Sequence, residues 1–478
     1  MLFENRYGQA CPEAGDKLKK VLEKWRFRVG WTGFLIVALG VFATMLNRLV
    51  GFRPVVWALS ALVLMAVSIL AGRRGGVPAP SWFTANAGRI MTWAPVLGVC
   101  LRILFPLIVP PAQVSDSSEY LSLARAILEK GTYEWVMPNG NHWYAYRPPG
   151  IAFVLAGFIK VFGEHVWLPA MVNILMYGGT CVILRRMSER WMNPTAGACT
   201  QLLFALWPSG IAATGLVQYE PLFLLSVYAS AWLFLTASNG ASHFAAGIVT
   251  GLSILVRQAL LPVPVLWLLR RPSPVTAMSV AGMLLVVGGW AARNHSHGVP
   301  VTVSSNAGSL LYQVANDRAV SGYDDSMVTA MFEQLGYDEY RQHVEMGNMA
   351  KEWILAHPTL WLDLMVRRLP SFLGEDSAGY YFAMRVARTY GGLAYSIPQL
   401  VAHAWWVLVW ILAAAAVIAR KDRIRASPDV QFLLWMVLLF VGTALPFLMQ
   451  ARYHAGLVPA VLLLAGWAFT PRDSTARA

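Results

Sequence analysis

Charged residues are scarce in this chain of 478 residues: Asp, Glu, Lys and Arg together make up 13%, while 57% of the residues are hydrophobic. The mean hydropathy is +0.50. A soluble domain cannot expose this much apolar surface to water, and disordered chains have the opposite composition. The sequence therefore excludes a soluble enzyme, a secreted disulfide scaffold and a disordered protein, and it predicts an integral membrane protein with many spans.

Cysteines and nucleotide-binding motifs are also few or missing. The four cysteines, Cys11, Cys100, Cys181 and Cys199, have no CxxC or Cys/His spacing, so neither a disulfide framework nor a zinc site is predicted. The sequence has no Walker loop, GxGxxG or HExxH motif and no internal repeat, which leaves nucleotide hydrolysis and metalloprotease chemistry without support. We predict no metal site and no cofactor, with a divalent metal requirement left open.

Apolar runs of span-like length recur along the chain and predict an all-α membrane protein with about twelve transmembrane helices. They lie at 29–47, 55–71, 91–110, 167–184, 196–215, 218–236, 243–256, 258–270, 274–293, 396–419, 430–449 and 454–470. The further run at 148–162 is predicted to lie in the outer interface or to re-enter the bundle. A span there would invert every later loop.

The distribution of cations predicts which side of the membrane each loop faces. With both termini in the cytosol, the inner segments hold 21 Lys and Arg against 8 Asp and Glu, which accounts for the net charge of +13 and makes a nucleic-acid partner unnecessary. Most acidic residues then lie outside, so carboxylate chemistry is expected on the periplasmic face. We expect a bacterial inner membrane protein, with basic residues 17–27 forming an interfacial helix on an anionic leaflet.

Five regions follow from these patterns. They are a cytosolic basic amphipathic segment at 1–28, an extra N-terminal helical hairpin at 29–90, a catalytic-type membrane core at 91–293 with its first outer loop at 111–166, a periplasmic loop domain of roughly 100 residues at 294–395, and C-terminal transmembrane helices at 396–478. The two outer segments are long enough to build a site and to carry interfacial helices.

Acidic candidates lie at two helix starts near the outer face. Asp116, Glu119 and Tyr120 fall on one side of a predicted helix, where a carboxylate can act as general base on an acceptor hydroxyl. The alternative is a capping box, with Asp116 as the N-cap. Glu220 begins a descending span, where an acid must be hydrated or paired. Its alternative role is an acid favoured by the helix dipole, followed by Pro221.

Cationic candidates converge on the same face. Arg147, beside a rigid proline pair, and Arg257, Arg293 and Arg452 are placed to hold a lipid phosphate, with Tyr453 next to the last of them. The alternative for each is an ordinary interfacial anchor or a snorkelling span end. Arg102 lies inside a span and requires a carboxylate partner or a hydrated cavity.

These residues, in this order, resemble the GT-C membrane glycosyltransferases, which include protein O-mannosyltransferases and the bacterial lipid A aminoarabinose transferase. The resemblance covers about residues 91 to 470. The matching motifs are Asp116…Tyr120…Ala124, Gly131, Arg147-Pro148-Pro149-Gly150, Phe162-Gly163, Glu220-Pro221-Leu222, Arg257, Arg293-Asn294…Gly298, Ser304-Ser305-Asn306-Ala307-Gly308 and Arg452-Tyr453…Pro459. The chain departs from the family in two extra leading spans, in Ser117 where the protein mannosyltransferases have a second acid, and in lacking a sizeable soluble domain after the last span.

The resemblance implies a polyprenyl-phosphate sugar donor, a site at the outer membrane face, Asp116 as the catalytic carboxylate and Glu220 as a second acid near it. The acceptor would be a periplasmic glycan, lipid or protein, with membrane lipids around the bundle. Asp116 would act in a single displacement that inverts the anomeric centre. A flippase for a lipid-linked sugar and a periplasmic glycan polymerase remain the alternatives, because each also needs many spans and an outer site.

Overall fold

The computed structural model of the chain describes residues 12–50, 66, 78–316, 325–386, 392–447 and 449–469. Helices account for most of these residues, which confirms the predicted all-α class. The helices are α1 Pro12–Val50, α2 Ser81–Ala85, α3 Ala87–Ile108, α4 Asp116–Lys130, α5 Gly150–Phe162, α6 Leu168–Trp191, α7 Pro194–Ala205, α8 Pro208–Ala212, α9 Glu220–Thr236, α10 Gly240–Val256, α11 Val263–Arg270, α12 Pro274–Ser296, α13 Asn306–Val314, α14 Asp325–Gln334, α15 Glu339–Ala356, α16 Pro358–Leu373, α17 Ala378–Val386, α18 Gly392–Ala419, α19 Lys421–Ala426, α20 Pro428–Ala444 and α21 Val458–Trp467. Three 3-10 turns, Ala213–Gly215, Gln258–Leu260 and Ala451–Leu457, join consecutive helices.

Five of these helices are long and apolar enough to cross a membrane by themselves. They are Lys20–Thr44, Ala87–Ile108, Leu168–Trp191, Pro274–Ser296 and Leu393–Ala419. The pair Pro194–Ala205 and Pro208–Gly215 makes a sixth if it counts as one bent span, and α5, α9, α10, α20 and the pair of Gln258–Leu260 with α11 are shorter apolar helices. The twelve-span count stays a prediction, and the predicted span at 55–71 lies outside the described residues apart from position 66.

The N-terminal helix differs from the sequence prediction. We expected an interfacial basic helix followed by a separate span at 29–47, but α1 is one continuous helix of 39 residues. No proline or glycine pair interrupts this stretch, so nothing in the sequence forces a break between the two predicted segments. Trp25, on the basic part of the helix, lies 6.3 Å from the ring of Trp435 on α20. The basic segment is therefore packed against the membrane core.

A broken helix explains the arginine inside the third helix. The helical run from Pro194 bends by 47° between α7 and α8, which leaves the last carbonyls of α7 without helical partners. Arg102 of α3 donates to two of them, at Phe204 (3.5 Å) and Ala205 (3.2 Å), and its guanidinium lies 3.7 Å from the centre of the Tyr177 ring. A cation at this end of α7 also complements the helix dipole.

Small residues allow a close helix contact between α10 and α12. A Cβ atom on Gly247 would lie 2.0 Å from the carbonyl oxygen of Ser279, and one on Gly282 would lie 2.3 Å from the carbonyl oxygen of Phe244. Backbone therefore touches backbone along this pair. The Gly247-xxx-Gly251 pair therefore serves close helix packing.

The two outer segments pack on each other above the bundle. A two-residue antiparallel hairpin, Trp135–Val136 with His142–Trp143, places Trp143 in a small core with Phe332 and Met346 of the second segment. The Trp143 indole nitrogen donates to the carbonyl of Tyr337 at 2.7 Å. This contact fixes the position of the chain segment that leads to Arg147.

Candidate functional site

The centre of the candidate active site is a cluster of four charged groups. Asp116 Oδ1 lies 2.8 Å from Arg147 Nη2, and Asp116 Oδ2 lies 2.8 Å from Arg452 Nη1. Arg147 Nε in turn lies 2.7 Å from Glu119 Oε2. These four side chains are only 14% to 18% exposed, so water and salt screen their charges little. We call this set of four side chains the ionic cluster.

The start of α4 does not have the capping box that was the alternative for Asp116. The N-cap residue is Ser115, whose side chain makes no capping hydrogen bond. Both carboxylates of the expected box, on Asp116 and Glu119, bind Arg147 instead. The capping interpretation is therefore wrong. Ser115 also has φ 55°, a left-handed conformation that costs a non-glycine residue about 1–3 kcal/mol and that the surrounding contacts must impose.

The backbone around Arg147 is fixed on both sides. The hydroxyl of Tyr133 donates to the Arg147 carbonyl at 2.7 Å. After the proline pair, α5 begins at Gly150, where a Cβ atom would lie 2.6 Å from the side chain of Val256. Glycine is thus required for this approach, and it brings the end of α10 and the following Arg257 toward the first outer loop.

Charge sets the protonation state of Asp116. Burial by itself would raise the pKa of this carboxyl, but the guanidinium groups of Arg147 and Arg452 outweigh burial and lower the pKa to about 2. Burial disfavours the charged form of Arg147, yet Asp116 and Glu119 raise its pKa well above the ordinary value. At neutral pH the resting site therefore holds an ionised, strongly paired carboxylate.

A buried carboxylate of the second outer segment, Glu339, holds the first outer segment in place. Glu339 accepts hydrogen bonds from the backbone N–H groups of Tyr144 (2.5 Å) and Ala145 (2.8 Å) and from the Ser305 hydroxyl (2.6 Å). Burial raises the pKa of Glu339, and these donors oppose that shift. The chain just before Arg147 is thereby tied to helix α15. Nothing in the sequence around Glu339 indicates this role.

Glu220 lies beside the ionic cluster and faces a cavity. The side chain is buried, and neither carboxylate oxygen has a hydrogen-bond partner among the residues that the structure describes. The cavity contains about 660 Å³ of empty space, part of it open to solvent, and Glu220, Arg452 and Arg102 are among its lining residues. Glu220 opens the first turn of α9, as the helix-dipole alternative requires. That alternative does not account for two unpartnered oxygens that line a cavity.

Arg257 and Tyr453 form the aromatic side of the site. The Arg257 guanidinium lies 4.5 Å from the centre of the Tyr453 ring and 5.3 Å from that of Tyr219. Among the described residues Arg257 forms no ion pair, whereas Arg452 pairs with Asp116 and its Nη2 lies 3.3 Å from the Tyr453 hydroxyl. The site thus presents one unneutralised cation next to the ionic cluster.

Two other candidates, Arg293 and Tyr120, support the structure around the ionic cluster. Arg293 donates to the backbone carbonyls of Tyr144 (2.5 Å) and Tyr133 (2.8 Å), so it braces the first outer loop. Tyr120 is buried one helical turn after Asp116, and burial raises the pKa of its hydroxyl. Both lie near the ionic cluster without belonging to it.

A second buried acid and a histidine line the same cavity, and sequence reasoning did not select them. His454 Nε2 lies 3.2 Å from Asp376 Oδ1, and its Nδ1 lies 2.7 Å from the carbonyl oxygen of Phe372. The indole of Trp207 donates to the other oxygen of Asp376 at 2.8 Å. Asp376 follows Glu375 in the irregular segment between α16 and α17, so no periodicity marks it. His454 was visible next to Arg452 but had no recognisable partner in sequence.

Within the described ranges, no group of three or more His, Cys, Asp or Glu side chains is placed to hold a metal ion. Whether the reaction needs one stays a prediction.

Part of the chain matches a known family. Residues 146–289, which include Arg147, Glu220 and Arg257, match the family described as dolichyl-phosphate-mannose-protein mannosyltransferase. None of the curated proteins matches the sequence.

The fold is similar to that of a solved archaeal enzyme at low sequence identity. The archaeal oligosaccharyltransferase AglB from Archaeoglobus fulgidus, in complex with an inhibitory peptide and a dolichol-phosphate, superposes with a TM-score of 0.50 at 15% identity, over 81% of this chain and 50% of that chain. ArnT from Cupriavidus metallidurans bound to undecaprenyl phosphate gives a TM-score of 0.35 at 14% identity, over 78% and 77%. The chain thus spans about half the length of the archaeal enzyme, and the likeness is one of fold.

Proposed function

We propose, from the premise that the chain belongs to the GT-C superfamily of membrane glycosyltransferases, that it moves a monosaccharide from a polyprenyl-phosphate donor to a hydroxyl group of a periplasmic glycan, lipid or protein. The observation that carries the proposal is the position of Asp116 between Arg147 and Arg452, beside a cavity lined by Glu220, a carboxylate without a hydrogen-bond partner among the described residues. In this proposal the base, the cations that bind phosphate and the cavity for the sugar lie next to one another.

The cations supply what the departing phosphate requires. Breaking the bond between the anomeric carbon and the phosphate oxygen leaves negative charge on the polyprenyl phosphate, and guanidinium groups stabilise that charge by bidentate hydrogen bonds. Arg257 can bind the phosphate without breaking an ion pair, because it has aromatic neighbours but no ion pair among the described residues. Arg452 and Arg147 would join it when the donor arrives.

An exchange of partners would make Asp116 a better base. With two guanidinium partners its pKa is about 2, which makes the resting carboxylate a weak base. A donor phosphate that binds Arg452 or Arg147 takes over part of their interaction with Asp116, so the basicity of the carboxylate increases when substrate is present. Asp116 then accepts the proton of the acceptor hydroxyl while the acceptor oxygen bonds to the anomeric carbon. The configuration at that carbon inverts.

Glu220 would act on the sugar or the acceptor. Its two oxygens have no partner, and leaving a buried carboxylate without hydrogen bonds is costly. Hydroxyl groups of a bound sugar are donors of the right kind to fill these positions. We therefore assign Glu220 to substrate orientation in the cavity, with Tyr120 and Glu119 supporting the ionic cluster.

The donor class is inferred from the neighbours as well as from the site. The archaeal oligosaccharyltransferase was solved with a dolichol-phosphate, and the family that matches residues 146–289 is described by a dolichyl-phosphate sugar. A polyprenyl phosphate fits the cations of this chain by the same chemistry. The proposed topology, with both termini in the cytosol of a bacterial inner membrane, puts the site on the periplasmic face.

Product analysis tests the proposal against its rivals. The full chain in lipid nanodiscs receives a panel of polyprenyl-phosphate monosaccharides together with membrane glycolipid extract. The proposal predicts release of one polyprenyl phosphate for each sugar added to an acceptor. Ladders of repeating products would instead indicate a glycan polymerase, and intact donor that appears in the opposite leaflet of a vesicle would indicate a flippase.

A further inference from the structure

A second cavity lies at the other end of the bundle. Lys20, Lys24, Arg26, Arg270, Arg425 and Trp435 are among its lining residues, and we call it the basic cavity. It also includes Pro428, the first residue of α20, whereas the chain that follows the other end of α20 carries Arg452. A helix of 17 residues is about 25 Å long, so the basic cavity is far from the ionic cluster.

The lining of the basic cavity is strongly positive. Five cationic residues and the single acid Glu23 line it. Arg270 pairs with Asp429 at 2.6 Å, but its buried Nε has no hydrogen-bond partner in the described ranges. Lys20 and Lys24 form no ion pair within the described part of the chain. This arrangement leaves an excess of positive charge that an anion would neutralise.

The walls between these cations are apolar. Leu266, Leu269 and Phe432 line the cavity with Trp435, and the cavity contains about 1210 Å³ of empty space, part of it open to solvent. Immediately beside it, Leu22 and Trp25 of α1 are 46% and 49% exposed. An apolar strip therefore leads from the cationic lining to the outside of the bundle. A ligand with an anionic head and an apolar tail matches both features, whereas a free anion matches only the first.

We infer that the basic cavity binds the phosphate headgroup of an anionic membrane lipid, with the acyl chains along Leu22 and Trp25. The lipid would join three separate elements, α1, α11 and the α19–α20 hairpin, at the face opposite the catalytic site. Lys20, Lys24 and Arg425 would contact the phosphate. The inference is independent of the glycosyl transfer proposed above, because no residue of the ionic cluster contributes to it.

Native mass spectrometry of the full chain tests the assignment. Protein is released from phosphatidylcholine nanodiscs that contain about one tenth phosphatidylglycerol, and retained lipids are weighed. We expect one phosphatidylglycerol on the wild type. The variant Lys20→Ala/Lys24→Ala/Arg425→Ala should retain at least about tenfold less, since each cation near a lipid surface contributes on the order of 1 kcal/mol, or about fivefold.

A matched control separates the cavity from general surface charge. Arg89→Ala/Arg185→Ala/Arg186→Ala also removes three cations from this end of the bundle and should retain phosphatidylglycerol like the wild type. The inference would be overturned if both variants lost phosphatidylglycerol equally, or if the cavity variant retained as much of it as the wild type. It would also be overturned if the wild type retained phosphatidylcholine as well as phosphatidylglycerol. Displacement of the lipid by 10 mM inorganic phosphate would overturn it too, since the site would then favour the free anion.

Discussion

At the scale of single residues, Asp116 combines two opposing properties. It is the carboxylate best placed to receive a proton, yet Arg147 and Arg452 hold its pKa at about 2. The same two arginines are the groups that a phosphate would bind. In the proposed mechanism, donor binding and activation of the base are therefore coupled, and a donor without its phosphate would leave Asp116 fully paired and weakly basic.

The low pKa of Asp116 predicts the shape of the pH profile. A carboxyl whose folded-state pKa lies below its unfolded value of about 3.9 stabilises the folded state above that value and loses this contribution as the pH falls toward 2. Asp116 is thus ionised throughout the range from about pH 5 to 8. We expect kcat/KM to show no acid limb from Asp116 in this range. A limb with its midpoint above pH 5 that disappears in Asp116→Asn would contradict the assignment.

Several residues of the site were within reach of sequence reasoning, and several were not. Asp116, Arg147 and Glu220 lie at helix starts or beside prolines, where charge near a span boundary is conspicuous. The contact of Asp116 with Arg452 joins residues more than 300 positions apart, and no local pattern encodes such a contact. Asp376 and Glu339 look like ordinary loop and helix acids. Only their burial, and the donors that surround them, mark them out.

At the scale of elements, the outer segments set the geometry of the site. Glu339→Gln on α15 replaces a carboxylate that accepts three hydrogen bonds by an amide with one acceptor oxygen. We expect a loss of about 1–3 kcal/mol in stability and faster hydrogen exchange at the amides of Tyr144 and Ala145. Glycosyl transfer should also decrease, because Arg147 lies two residues after Ala145.

The control for this prediction is Glu345→Gln on the same helix. Glu345 is 44% exposed and pairs only with Arg341 across one turn, so its loss should change stability by a few tenths of a kcal/mol. If both variants showed the same exchange at Tyr144 and Ala145, the bracing role of Glu339 would be refuted.

The close contact between α10 and α12 depends on glycine. Gly247→Ala places a methyl group against the Ser279 backbone, which cannot move without separating α10 from α12. We expect about 1–3 kcal/mol of destabilisation, seen as a lower Tm in detergent. Gly288→Ala on α12 meets nothing within 4 Å and should leave Tm unchanged or slightly higher. Equal Tm values for the two variants would show that the close contact is absent.

The helices themselves follow from apolar run length, which placed α3, α9, α12 and α18 to within four residues at each end but ended α6 seven residues early. The boundary between the basic N-terminal segment and the first span was wrong, because a change in polarity along a helix does not end it. The break between α7 and α8 was also missed. Its sign in the sequence was Pro208, and Arg102 was the residue that its open carbonyls required.

At the scale of the whole molecule, the two ends of the bundle differ in chemistry. One end carries the paired carboxylates, the cations and the cavity at Glu220. The other carries the basic cavity. Charge distribution predicted this polarity, and the resemblance to GT-C enzymes predicted the class of fold. Neither could predict which donor or acceptor fits, since the shape of the cavity depends on long-range packing.

The most direct test of the central claim compares Asp116→Asn with Asp363→Asn in lipid nanodiscs and measures free polyprenyl phosphate released from a polyprenyl-phosphate monosaccharide. Asp363 is a surface acid, 45% exposed and paired with Arg367. We predict that Asp116→Asn lowers release by roughly 100-fold to 10,000-fold with its elution and circular dichroism unchanged, and that Asp363→Asn behaves as wild type. Release by Asp116→Asn within a few-fold of wild type would contradict the account.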